Sequence, residues 1–315
     1  MSQLSEPDLP GDTVPVNAAN PKPRYWGVLL FAGLIWGVTF SMNKVATAGG
    51  AHPIGLNIWQ SLLGFVILLV FVLFRGRRIP LTRKHLSFYA VCGFFGTALP
   101  GVLYFYAAIH VPAGVLAITL ATVPMLTLFL ALAMRHERPM FSRGLGIVLG
   151  IIGVALVVLP ESGLPDRSAV PWVLIAVVSA LCYAIENMII ALRMPPDVDP
   201  MTVLCGMLGM GAAMTVGAAL LTDSFYVPVV PFTAVEGAVV AIAVVNVIAY
   251  GLFIYLINRA GPVFASQMAY VVTLSGIAWG IVLFGEQHSV WIWAALVVLM
   301  AGIALVKPRS DDDVA

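Results

Sequence analysis

Long apolar runs, separated by short polar or proline-marked breaks, fill the chain from residue 25 to residue 306. Each run is close to the ~20 residues an α-helix needs to cross the hydrocarbon core of a bilayer. Ten such runs can be placed: 25–46, 54–74, 86–108, 113–134, 141–159, 171–192, 200–221, 233–257, 263–285 and 289–306. The breaks carry Pro53, Pro80, Pro112, Pro139, Pro160, Pro171, Pro195, Pro196, Pro228, Pro231 and Pro262. Proline cannot extend a helix interior, so it marks where one helix stops and the next starts. Several loops are only a few residues long, which makes successive helices antiparallel neighbours. The pattern predicts an all-α polytopic membrane protein of ten spans. Pro100, Gly101 and Pro124 fall inside runs and predict bends there.

Polar positions add orientation. Residues 1–24 are polar and proline-rich without an apolar core, which predicts a disordered tail rather than a signal peptide. Residues 307–315 predict a second short tail. If the N-terminus is cytoplasmic, fourteen of the sixteen Lys and Arg residues fall on the cytoplasmic side. Arg167 alone falls outside, and Lys44 lies within a run. That bias predicts both termini in the cytoplasm, in the inner membrane of a bacterium.

The two halves of the chain also echo each other. At an offset of 149 residues, GVALV at 153–157 meets GIALV at 302–306, and Glu137 meets Glu286. Trp26 and Trp172 open the first helix of each half. Residues 25–159 and 171–306 are therefore read as two five-helix repeats joined by a linker at 160–170. Five is odd, so the repeats must cross the membrane in opposite senses. Transporters use inverted repeats of this kind to expose a midplane site alternately to each side.

Composition agrees. Of the 315 residues 61% are hydrophobic and 10% charged, against about 25% charged in a soluble domain. A net charge of +1 gives no basic field for nucleic acid. Cys92, Cys182 and Cys205 sit singly in apolar runs and predict neither a disulfide framework nor a metal site. The sequence has no P-loop, no zinc-protease motif and no nucleophile elbow. An ATP-driven pump and an intramembrane enzyme are thus disfavoured, and no cofactor is expected. The expected partners are a small-molecule substrate and the bilayer, the chain acting as a monomer or homo-oligomer.

Several distributed features resemble the drug/metabolite transporter superfamily, in its EamA-type ten-helix branch. Leu34, Trp36, Gly37 and Phe40 in the first helix, with Lys44 following, match that family's Trp-Gly pattern. Pro124 stands in the middle of the fourth helix. Glu137-Arg138 and Gly285-Glu286 fall at the ends of the fourth and ninth helices. The resemblance covers roughly 25–306. It implies a central cavity lined by helices one, three, four, six, eight and nine. It also implies export of amino acids, metabolites or toxic organic compounds.

An ionisable side chain inside a span is costly and marks a functional candidate. Glu186 is the clearest, deep in the sixth helix with Tyr183 and Asn187 beside it. It is expected to bind a substrate ammonium or a coupling proton; the bland reading is a structural glutamate bonded to a neighbouring helix. Trp36, Asn43, Thr97, Tyr104, Thr119, Thr122, Asn246, Tyr250, Gln267 and Tyr270 could add aromatic walls and hydrogen-bonding groups. Helix packing is the alternative for each. Lys44, Glu137, Glu286 and Pro124 are read as gate or structural residues, the two glutamates as polar tethers near helix ends. Glu236 is expected to be only an interfacial carboxylate at a helix start. Export of amino acids or related metabolites is the leading expectation. Efflux of cationic drugs stands beside it, with a channel as a more distant class.

Overall fold

The computed structural model describes residues 22–136, 139–164, 166–260 and 262–306, leaving aside the side chains of 262 and 263. Ten helical spans follow one another: α1 (Pro23–Ala48), α2 (Pro53–Phe74), α3 (Arg83–His110), α4 (Ala113–Ala133), α5 (Phe141–Val158), α6 (Val170–Arg193), α7 (Pro200–Thr222), α8 (Ala234–Ala260), α9 (Pro262–Ser266 and Met268–Phe284) and α10 (Val290–Leu305). There is no strand among the described residues. Among the described residues nine spans are long and apolar enough to cross a membrane, and α10 is a shorter apolar helix. Proline opens α1, α2, α6 and α7, where its missing N–H costs nothing. Asp199 caps α7 by accepting from Met201 N at 3.1 Å and Thr202 N at 3.3 Å. Left-handed residues end others, with Asp223 after α7 and Gly285 after α9.

The main helix pairings are kept when the halves are exchanged. α1 packs on α8 and α9, and its counterpart α6 packs on α3 and α4. α2 meets α7, α4 meets α9, and α5 meets α10. This is the contact pattern of two repeats about a pseudo-two-fold axis, and five helices per repeat makes the second inverted. Gly146 and Gly153 let α5 close on α10: a Cβ there would stand 2.7 Å from Val306 and 2.4 Å from Leu299. On α7 a Cβ at Gly209 would stand 2.9 Å from Phe65, whereas one at Gly217 would meet nothing within 4 Å.

Three helices are interrupted. α3 passes through a π-helical segment, Phe94–Ala98, just before Pro100. α4 breaks at Ala121 and Thr122, ahead of Pro124, and α9 breaks at Gln267. At the repeat offset the breaks in α4 and α9 fall about one helical turn apart, and paired interruptions of this kind often mark a binding region. The carbonyls loosened in α3 have partners. Asn57 Nδ2 donates to Thr97 O at 3.2 Å and to Thr215 Oγ1 at 3.2 Å, while Ser179 Oγ donates to Pro100 O at 2.9 Å. Asn57 and Ser179 are both fully buried. α2, α6 and α7 thereby hold the bend of α3 in place.

Candidate functional site

Glu186 lies on α6 where the two halves meet. Its carboxylate rests on the bare backbone of Gly96, in the π-helical segment of α3, where a Cβ would stand 2.4 Å away. Among the described residues it forms no hydrogen bond and no ion pair. It is half-buried rather than sealed. Tyr183, on the same helix, and Tyr250, on α8, lie near it, and Tyr104 of α3 lies near Tyr183. The Tyr104 hydroxyl is buried with no hydrogen-bond partner. Its ring lies 6.2 Å from that of Phe40 on α1. One turn from Tyr250, Asn246 Oδ1 accepts from Trp36 Nε1 at 3.0 Å, which ties α8 to α1. An unpaired carboxylate, an unpaired phenol and aromatic walls thus come together from four helices.

A second group lines a cleft of about 490 Å³ between α4, α5, α6, α9 and α10. Asn187, Pro124, Gln267 and Tyr270 all face it, together with Arg143 and His136. The cleft opens at the end of the bundle where α1 begins and α10 finishes. The breaks in α4 and α9 flank it.

The opposite end is closed around Glu286. This residue follows Gly285 at the end of α9 and accepts from Ala113 N at 2.7 Å and Gly114 N at 3.0 Å, the first turn of α4. Lys44 Nζ of α1 lies 3.9 Å from its Oε1 and donates to Val111 O at 3.5 Å. Gly280 leaves room for the carboxylate, since a Cβ there would stand 2.5 Å from Oε2. Glu286 therefore joins α1, α4 and α9 at one point.

The remaining sequence candidates lie elsewhere. Thr97, Thr119 and Thr122 spend their hydroxyls on the backbone carbonyls of Gly93, Leu116 and Thr119. Asn43 is buried within α1, its carbonyl accepting from Thr47. Glu137 lies outside the described residues. Glu236 stands in the first turn of α8 as the sequence predicts, but it is buried and does more there: it gathers Tyr226 Oη, Val229 N, Thr233 N and Thr233 Oγ1, so it organises the loop before α8. Trp172, at the start of α6, stacks on His110 with centroids 4.1 Å apart. Sequence reasoning passed over Asn57, Ser179 and His288. The first two are polar residues in apolar runs, and that was the signal to follow. His288 falls in a loop, where nothing in the pattern singles it out.

An inverted ten-helix bundle with interrupted helices around a polar site defines a membrane transporter. The profile of the EamA-like transporter family matches residues 25–159 and again 170–307, so the chain belongs to that family. It is similar to the uncharacterized inner membrane transporter YedA of Escherichia coli K12, with 26% identity over 285 residues covering 89% of this chain and 90% of the relative. It is also 24% identical over 293 residues to the uncharacterized transporter YvbV of Bacillus subtilis, covering 92% and 93%. A solved crystal structure shares the fold at a TM-score of 0.60 and 19% identity, over 90% of this chain and 96% of that one.

Proposed function

We propose that the protein is a secondary transporter of the bacterial inner membrane that exports small amine-bearing organic solutes, amino acids and related metabolites above all. The observation that carries this is the unpaired Glu186 carboxylate on the bare backbone of Gly96. A carboxylate kept among apolar helices without a partner is costly, and a transported ammonium or proton supplies the missing one. Tyr104, Tyr183 and Tyr250 give the apolar part of the solute an aromatic surface. Pro124, Asn187, Gln267 and Tyr270 line the cleft, which starts one residue beyond Glu186 on α6, and the lysine and arginine bias supports a cytoplasmic position for it. The Glu286 tether closes the outer side, so the arrangement supports an inward-facing state of an alternating-access cycle.

The test is flux in proteoliposomes, with a panel of amino acids and organic amines under an imposed pH gradient. Glu186→Gln removes the charge and keeps the shape. Losing a charge-assisted hydrogen bond of about 1.5–3 kcal/mol should lower kcat/KM for amines roughly 10- to 100-fold. Unchanged transport by this variant at every pH would sink the proposal. Efflux of permanently charged organic cations is the second reading, because the same carboxylate and rings accept them. Competition by a quaternary amine, measured in the same liposomes, separates the two.

A further inference from the structure

The closure around Glu286 contains a second titratable residue. His288 sits in the loop between α9 and α10, with its side chain 2% exposed. Its Nε2 lies 3.5 Å from Glu286 Oε2 and has no hydrogen-bond partner. The ring meets Trp293 of α10 edge-on, with centroids 6.2 Å apart. A Cβ on Gly114 would stand 2.6 Å from Nε2, so the first turn of α4 is bare where the imidazole approaches. A buried titratable nitrogen therefore points at the carboxylate that holds α1, α4 and α9 together.

We infer that His288 is a proton-binding site of the outer gate, and that protonating it releases the Glu286 latch. This rests on the inward-facing reading above. The groups around the imidazole decide the sign. Glu286, from the end of α9, favours the cation. Lys44, from α1, lies on the other oxygen of the same carboxylate. α4 presents backbone N–H groups, already given to Glu286. α10 presents the uncharged Trp293 ring, and the nearby Ser289 hydroxyl is given to Gly163 O. Burial opposes the cation and outweighs Glu286, so the closed state holds the His288 pKa below its ordinary value. The proton is then bound more tightly wherever the ring is hydrated, which is the outward-open state. By linkage, acidification below the ordinary histidine range shifts the gate toward open. A protonated ring also draws Oε2 away from Gly114 N, and that loosens α4 from α9.

The measurement is the distance between spin labels at Ala48 and Gln287, both exposed at this end on α1 and the α9–α10 loop. It is made on the full chain in liposomes without substrate, between pH 7.5 and pH 5. The wild-type background should show a growing population at longer distance as pH falls, at least doubling across the range. His288→Gln should abolish that growth and keep the short distance throughout. Absence of a pH response in the wild-type background overturns the proposal without any variant. A response that survives in His288→Gln, or in His288→Phe should the first variant fold poorly, overturns it as well. Failure of amine flux with an intact gate response would count against the proposed function alone.

Discussion

A single bare position decides how Glu186 is held. Gly96 offers backbone where any other residue would offer a Cβ, and the atoms it would meet are the far end of a flexible side chain. Gly96→Ala should therefore displace the carboxylate and leave the helix intact. The expected result is a several-fold change in KM for amine substrates with thermal stability unchanged or slightly raised, since Ala favours helix over Gly by about 1 kcal/mol. Asp199 shows the other use of a carboxylate. Burial alone would raise its pKa, but hydrogen bonds from Thr202 and from Arg77, at 2.6 Å, outweigh that and hold it below the usual range. A depressed carboxyl stabilises the fold above its ordinary pKa and loses that contribution as pH falls. Asp199→Ala should lower stability by about 1 kcal/mol at neutral pH, the usual worth of such a cap. In thermal unfolding in detergent, the gap to the unmodified protein should narrow toward pH 3.

At the scale of elements, the interruptions matter more than the helices. Asn57→Leu leaves the loosened carbonyls of α3 without their amide, and a buried orphan acceptor costs about 1–3 kcal/mol. The prediction is a loss of stability of that size, read in the same unfolding experiment, with flux falling further than stability because the floor under Glu186 shifts. Helix number and order were legible in the sequence because hydropathy and proline placement are local signals. That α3 and α4 would be irregular near Pro100 and Pro124 was legible for the same reason. The extent of the π-helical segment was not, since it depends on Asn57 and Ser179 arriving from α2 and α6. Nor was the pairing of Lys44 with Glu286 across 242 positions of chain: each was visible as a gate or structural residue, but no spacing rule joins α1 to the end of α9. The threonines were legible only as polar residues. Their hydroxyls turn onto local carbonyls, a choice that depends on backbone geometry.

For the whole molecule, the proposed inward-facing state predicts which end of the bundle is open. α1 touches α3 and α4 within its own half. The cleft lies at the opposite end, between α4, α6 and α9. A thiol introduced at Thr127, which lines the cleft, should react with an impermeant reagent from the cytoplasmic side only. The background is favourable, because Cys92, Cys182 and Cys205 are all buried. Labelling from the outside in the absence of substrate would contradict the inward-facing assignment.

Exchange of the halves leaves the packing pattern nearly unchanged, and that has an energetic consequence. In the proposed cycle, two end states assembled from equivalent contacts differ little in free energy, so their balance rests on the contacts at each gate. Shifting a population from 1:99 to 99:1 takes only about 5.5 kcal/mol. One carboxylate with two backbone donors, a lysine and a histidine can supply a large part of that. The resting occupancy of each face is then adjustable by substitutions at the gate alone, with the ten helices and the substrate site left as they are.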